Sequence, residues 1–399
     1  MRLKHILITV VTLTACLSVC AQEDINALTR QIALHNKALE AQTSQDMSQV
    51  ASMRADNTLP DPEVEFSHLW GQNGIGNKMN FGISQGFDWP GLYKARGHAA
   101  DMEERALDFL WKSKYLETML EIKSTIIDII YAKRKIALRT DVYHNMDSLY
   151  FAYKRGMERG EVSVIDLNKL AIERIAASRS VADAGNEYSA ACARLQALNG
   201  GEPCESIIAG LHDFPMESIR SLDDYVNEAM QYNPLLQYAD SKTLSIEAQN
   251  RVLSQSRLPG FSLGYSFDNE MGEKFHGFSV GMSLPVYSRK YQKKALLMAS
   301  NENSATAEDI TSGIIGDITS TRQRALNYIA EIEKYGTIFS SGDNIRLLNK
   351  AFAGGQISLM EYITDIKYFL DAQGDYEEML YLYNLDTTKL NRYSLLPVK

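Results

Sequence analysis

Phe261-Ser262-Leu263-Gly264-Tyr265-Ser266-Phe267-Asp268 alternates large apolar residues with serine, glycine and aspartate. An extended strand points successive side chains to opposite faces, so this octet gives one aromatic and aliphatic face and one small, polar face. After the turn-forming run Asn269-Glu270-Met271-Gly272-Glu273-Lys274 the alternation resumes. Phe278, Val280, Met282 and Leu284 now take turns with Gly277, Ser279, Gly281 and Ser283. Two such runs around a short turn predict a hairpin. At roughly nine to eleven residues, each strand has the length a tilted strand needs to cross a bilayer. Soluble sandwiches alternate in the same way.

The chain carries this pattern twice. Val64, Phe66, His68 and Trp70 alternate with Glu63, Glu65, Ser67 and Leu69. A glycine- and asparagine-rich loop at 71–77 follows, and then Met79, Phe81, Ile83 and Phe87 alternate with Asn80, Gly82, Ser84, Gly86 and Asp88. The same 195 positions separate Gly86 from Gly281, Pro90 from Pro285, Gly160 from Gly355 and Ser163 from Ser358. Such self-similarity points to a pseudosymmetric assembly rather than to a single catalytic centre.

Each hairpin leads into a proline-free helical stretch, at 92–155 and at 288–352. Sixty helical residues extend about 90 Å, a rod for which a globular domain has no use. Leu107, Leu110, Leu116, Leu120, Ile126, Ile127, Ile130, Ile136 and Leu138 form an apolar stripe with coiled-coil-like spacing. A glycine-containing turn and a returning helix follow each rod, at 164–198 and 359–390. Ahead of the first hairpin, Leu28, Ile32, Leu39 and Val50 suggest one helical run over 24–57, stopped by Pro60 and Pro62. The organisation expected is a leader at 1–21, a first repeat at 22–200, a joining segment at 201–221 and a second repeat at 222–399. Four strands cannot close a barrel, for which about eight is the practical minimum. A membrane role therefore requires several copies, and three would supply twelve strands.

The first residues, Met1-Arg2-Leu3-Lys4-His5, place positive charge before the apolar run 6–15, the pattern of an export signal. Val19-Cys20-Ala21 fits cleavage before Gln22, whereas Leu13-Thr14-Ala15-Cys16 fits a lipobox that would leave Cys16 lipidated. Both readings take the chain out of the cytoplasm. No later run is long and apolar enough for a spanning helix. With 41 Lys+Arg against 50 Asp+Glu, nucleic acid is not an expected partner. Cys192 and Cys204 are compatible with a disulfide or with two separate thiols.

Taken together, these features resemble the TolC-type outer-membrane efflux proteins over nearly the whole mature chain. The resemblance rests on Asn233-Pro234 opening the second repeat and on the hairpin endings Gly86-Phe87-Asp88-Trp89-Pro90 and Gly281-Met282-Ser283-Leu284-Pro285. It rests also on the turns Arg159-Gly160-Glu161-Val162-Ser163-Val164-Ile165-Asp166 and Gly354-Gly355-Gln356-Ile357-Ser358-Leu359-Met360-Glu361. The chain departs from the family pattern at Asn36-Lys37, where Asn-Pro is expected, and in its shorter length, nearer that of metal-efflux subunits.

The resemblance implies an α+β membrane protein: a homotrimeric, twelve-stranded outer-membrane β-barrel continued by a periplasmic α-helical coiled-coil barrel. It implies a passive duct that docks on a periplasmic adaptor and an inner-membrane pump of the resistance-nodulation-division type. Gly160, Val162, Ser163, Gly355, Ile357 and Ser358 would be the adaptor-contacting helix tips. Glu361, Asp365 and Asp166 would be the acids that narrow the tunnel, and a ring of carboxylates would raise their own pKa and favour cations. Thr364 stands where the family often has a second acid, with Asp365 one residue later.

Read from the residues alone, Ser163 with Asp166 and Ser358 with Glu361 are capping boxes. His68 and His276 lie in strands with no ligand cluster around them, and Met271, Met282 and Met298 read as packing residues. No cofactor is expected, and no nucleophile elbow or phosphate loop suggests an enzyme. Two rivals share the sequence: the exit channel of a type I protein secretion system, and a soluble periplasmic coiled-coil scaffold whose hairpins form a small sandwich.

Overall fold

The alternating runs form strands at the expected places. In the computed structural model, which describes residues 25–71, 76–270, 272–285, 289–340 and 344–397, β1 is Glu63–Leu69 and β2 is Lys78–Phe87. β3 is Gly260–Glu270 and β4 is Glu273–Ser283. The four make one antiparallel sheet in the order β1-β2-β3-β4, so the two hairpins lie side by side and not face to face. That removes the sandwich from the scaffold reading.

Cross-strand partners share a face. Val64, Ile83, Tyr265 and Phe278 stand in one row, and Phe66, Phe81, Phe267 and His276 in the next. The opposite face has rows such as Glu65, Gly82, Ser266 and Gly277. A soluble sheet buries its apolar face. Here that face is open: Phe278 is 90% exposed and Val280 76%.

The helices are α1 (described over 25–34), α2 (Lys37–Ala55), α3 (Pro90–Glu158), α4 (Val164–Leu198) and α5 (Glu205–Ile208). They continue with α6 (Leu222–Tyr232), α7 (Pro234–Gln255), α8 (Lys290–Ser340), α9 (Asn344–Ala353) and α10 (Leu359–Leu390). Contacts divide the chain into two units, one of residues 40–113 and 232–313, the other of 1–39, 114–231 and 314–399. Each unit draws on both halves of the sequence. The expected leader at 1–21, with Cys16, and Met271 lie outside the described residues.

One helical expectation changes. The run expected over 24–57 is two helices, because Asn36 interrupts it. Its side-chain oxygen accepts from the backbone N–H of Ala38 and Leu39, both at 3.1 Å, and its amide donates to the Leu198 carbonyl at 2.9 Å. Asn233 caps α7 in the same way, accepting from Leu235 N–H at 2.8 Å, with Pro234 in the first turn. The cap needs the asparagine and tolerates lysine in place of proline. The second rod, expected as one run over 288–352, is described as α8 and α9, with residues 341–343 outside the description.

In the unit holding the chain's described ends, α3 is enclosed. Met119, Ile122, Ile126, Ile127, Ile129 and Ile130 are wholly buried, and so is Thr125. This exceeds the narrow seam the spacing suggested, because α1, α6, α8 and α10 all contribute residues to the same core. The joining segment adds Cys204, Ile208 and Phe214. Cys192 and Cys204 are free thiols, which answers the question the spacing left open.

Asp128 lies on α3, where Tyr381 donates its hydroxyl at 2.9 Å and Tyr131 stacks on Tyr381. Burial pushes the Asp128 carboxyl above the usual range, partly offset by that hydrogen bond and by Arg194. An acid with a raised folded-state pKa costs stability above that pKa, and the cost fades as pH falls through it. Asp128→Asn is therefore expected to raise the urea midpoint at neutral pH and to have little effect near about pH 4, where carboxyls protonate.

Candidate functional site

The two turns singled out by the sequence close their helices with the same pair of bonds. Gly160 and Gly355 have φ of +77° and +65°, the left-handed region that glycine enters without strain. The N–H of Glu161 reaches back to the Gly156 carbonyl at 2.9 Å, and that of Gln356 to Ala351 at 2.9 Å. This six-to-one bond, with the shorter bond from the glycine itself, ends α3 and α9 as Schellman turns. Val162 lies so close to Gly156 that a Cβ there would stand 2.7 Å from its methyl group.

The serines begin the returning helices differently. Ser358 accepts from Glu361 N–H at 3.2 Å, and the Glu361 carboxylate accepts from Ser358 N–H at 2.8 Å, a complete capping box. Ser163 accepts from Ile165 N–H at 3.1 Å, and Asp166 pairs with Lys169 at 3.4 Å. The expected second box is only a serine cap, since aspartate is one methylene too short to reach back to the cap N–H. Arg159 and Glu161 pair across that turn at 2.8 Å.

The bond from Ser358 N–H holds the Glu361 carboxyl below the ordinary range, with the serine side chain adding to the effect. Within one chain the direction is thus opposite to that of a carboxylate ring, which arises only between copies. Asp365 is exposed one helical turn farther along α10. The three acids do not converge in a single chain: Glu361 and Asp166 serve separate helix starts.

Sequence reading missed the aromatic stack beneath the tips. Tyr153 of α3 stacks on Phe352 of α9, and Phe352 on Tyr362 of α10, with centroids 6.5 and 4.6 Å apart. The Tyr362 hydroxyl donates to Asn349 at 2.6 Å. Leu138, Met146, Leu170, Ile363, Ile366 and Leu370 form the apolar cluster of this region. An aromatic immediately after Glu361 was the one available signal. Gly355→Ala is expected to cost about 1 kcal/mol through its positive φ, and Ser358→Ala about 1 kcal/mol through the lost cap. Urea titration checks both, and Gly354→Ala, outside the left-handed region, should cost less.

His276 lies 2.7 Å from the Tyr265 hydroxyl, and His68 packs against Trp70. Among the described residues no three His, Cys, Asp or Glu are placed to hold a metal ion, and no helix is long and apolar enough to cross a membrane. A side-by-side double hairpin, helices returning from glycine tips and an open apolar sheet face together describe a known architecture. The fold is that of the TolC-type outer-membrane channels.

Solved structures carry the comparison. CusC, known from crystal structures of its transmembrane channel formation, superposes with a TM-score of 0.70 at 13% identity, over 92% of both chains. The CmeC outer membrane channel of Campylobacter jejuni gives 0.69 at 15% identity, over 93% of this chain and 85% of its own. The open state of the Neisseria gonorrhoeae MtrE outer membrane channel gives 0.65 at 16%, over 92% and 88%. No family model matches the chain, and no curated protein matches it by sequence. The channel fold thus persists where residue identity is nearly gone.

Proposed function

We propose that this chain is the outer-membrane exit duct of a tripartite efflux system, embedded as a homotrimer with a large periplasmic portion. The observation that carries the reading is the sheet. Its apolar face is solvent-open, its other face is mainly serine and glycine with Glu63, Glu65, Asn80 and Asp268 among them, and four strands with two free edges cannot form a pore alone. Three copies supply twelve strands, with the apolar face toward lipid and the small residues lining the bore. Structural neighbours described as outer membrane channels support this.

The duct does no chemistry. Its tips, Gly160 with Val162 and Ser163, and Gly355 with Ile357 and Ser358, meet a periplasmic adaptor, and a resistance-nodulation-division pump supplies the energy. Chain length tilts the cargo toward heavy-metal cations over drugs. Membrane fractionation with oligomer sizing tests the reading: a detergent-dependent trimer in outer membranes is expected, and a detergent-free protein in the soluble periplasm sinks it.

Glu361, Asp365 and Asp166 are the acids assigned to the constriction. In the trimer, repulsion among the Glu361 carboxylates works against the Ser358 N–H bond that keeps each ionised. Glu361→Gln is expected to lower cation preference in planar-bilayer recordings, and unchanged selectivity removes the gate role.

A further inference from the structure

The apolar face of the sheet changes character at its turn end. Along β4 it runs Met282, Val280, Phe278 and then His276 and Lys274, and along β3 Leu263, Tyr265 and Phe267 give way to Asn269. The last row, His68, Met79, Asn269 and Lys274, is largely polar, whereas the row through Phe278 is aromatic and aliphatic. Its charge is one-sided. Among the described strand residues this face carries no aspartate or glutamate, and both Lys274 and His276 are exposed. At the same end of the opposite face, Lys78 is paired with Glu270 at 3.3 Å and Glu273 stands next in the row.

We propose that Lys274 and His276 bind the phosphate of a glycolipid headgroup in the outer leaflet, with Asn269 as a neutral donor beside them. The inference rests on the duct reading, which puts the helices in the periplasm and hence the hairpin turns at the outer surface.

Level is the first support. Lys274 lies ten residues from Leu284. Ten residues extend about 33 Å along a strand, or about 25 Å in height once the strand tilts by about 40°, which is the height of a barrel's apolar band. Lys274 therefore reaches the headgroups on one side as Leu284 reaches the boundary on the other. Tryptophans mark both limits: Trp89 packs on Phe261 with centroids 6.1 Å apart, and Trp70 on His68 at 4.8 Å.

Geometry is the second. Lys274 and His276 share one face of one strand, so their Cα atoms are about 7 Å apart and a phosphate between them can accept a bond from each. The Tyr265 hydroxyl lies 2.7 Å from His276 Nδ1. When the hydroxyl donates there, the ring proton sits on Nε2, a donor on the side away from the tyrosine. Asn269 stands opposite Lys274 on the neighbouring strand. The third support is the match to a lipid. A free anion has no use for the exposed Phe278 and Val280 that adjoin the cations, whereas a phosphorylated lipid lays its acyl chains along them and brings its phosphate to Lys274.

Binding of purified lipid A to the detergent-solubilised protein tests the site, with lipid A stripped of its phosphates as the control. The phosphorylated form is expected to bind at least about tenfold more tightly. Lys274→Gln with His276→Gln should erase that preference, Lys274→Arg should keep it, and Lys78→Gln, on the other face, should leave it unchanged. Equal binding of the two forms, or a preference that survives the double variant, overturns the site and leaves the duct reading standing. Displacement of the lipid by millimolar inorganic phosphate would assign the cations to a free anion and also overturn it. A membrane-free monomer overturns both readings. Should the double variant fail to assemble, the parent's preference and its loss in Lys274→Gln alone decide the matter.

Discussion

Replacing Lys123 with methionine is expected to lower stability by about 3–5 kcal/mol, the usual result of stranding one member of a buried ion pair. Lys123 is 1% exposed, and its ammonium lies 2.8 Å from a Glu217 oxygen. The second Glu217 oxygen accepts from Asn391 at 2.5 Å, and the Glu217 backbone carbonyl accepts from Tyr383 at 2.6 Å. A segment between the repeats is thereby held to α3, to α10 and to the residue that ends α10. Without Lys123 the carboxylate keeps one neutral donor and loses its cation. Two positions would have to change to relieve it: Lys123→Met with Glu217→Gln should recover a large part of the loss. Urea titration of the detergent-solubilised protein measures both, and additive losses would show that the pair is not coupled.

Arginine at Val280 is expected to abolish insertion. Val280 stands on the apolar face, paired with Leu263 and between Phe278 and Met282. An arginine facing lipid near the bilayer midplane costs about 2–4 kcal/mol, so the three copies of the proposed trimer would accumulate roughly 6–12 kcal/mol. The variant should leave the outer-membrane fraction. Ser67→Arg, on the opposite face of β1, provides the contrast: it should insert normally and reduce single-channel conductance by crowding the bore. If both variants insert equally well, the apolar face does not meet lipid.

Strand alternation was legible because every second residue repeats the same demand, so four strands and their faces could be read from the chain. The tip glycines were legible for a similar reason: a positive φ admits few residues, and Gly160 and Gly355 both have it. Asn36 was harder to read. Its capping role depends on one side-chain oxygen, and the proline that marks the equivalent start at Asn233 is lacking. Asp166 was misjudged by one methylene, which separates a capping box from a simple cap. Lys123 and Glu217 left no trace at all. They are 94 positions apart, and a single ion pair has no period. The stack of Tyr153, Phe352 and Tyr362 escaped for the same reason, since it joins three helices through one ring from each.

For the trimeric duct proposed above, the order β1-β2-β3-β4 also constrains the birth of the assembly. A lone chain ends its sheet in two rows of unmatched backbone donors and acceptors, and such edges recruit whatever strand comes first. Lipid offers those groups nothing, so a single subunit cannot wait in the bilayer for its partners. Insertion and ring closure must then be one concerted event, with a rate that rises steeply with the supply of subunits. A cell that makes too little of this chain should accumulate strays in the periplasm, where proteases can reach them, and should hold very few partly built pores.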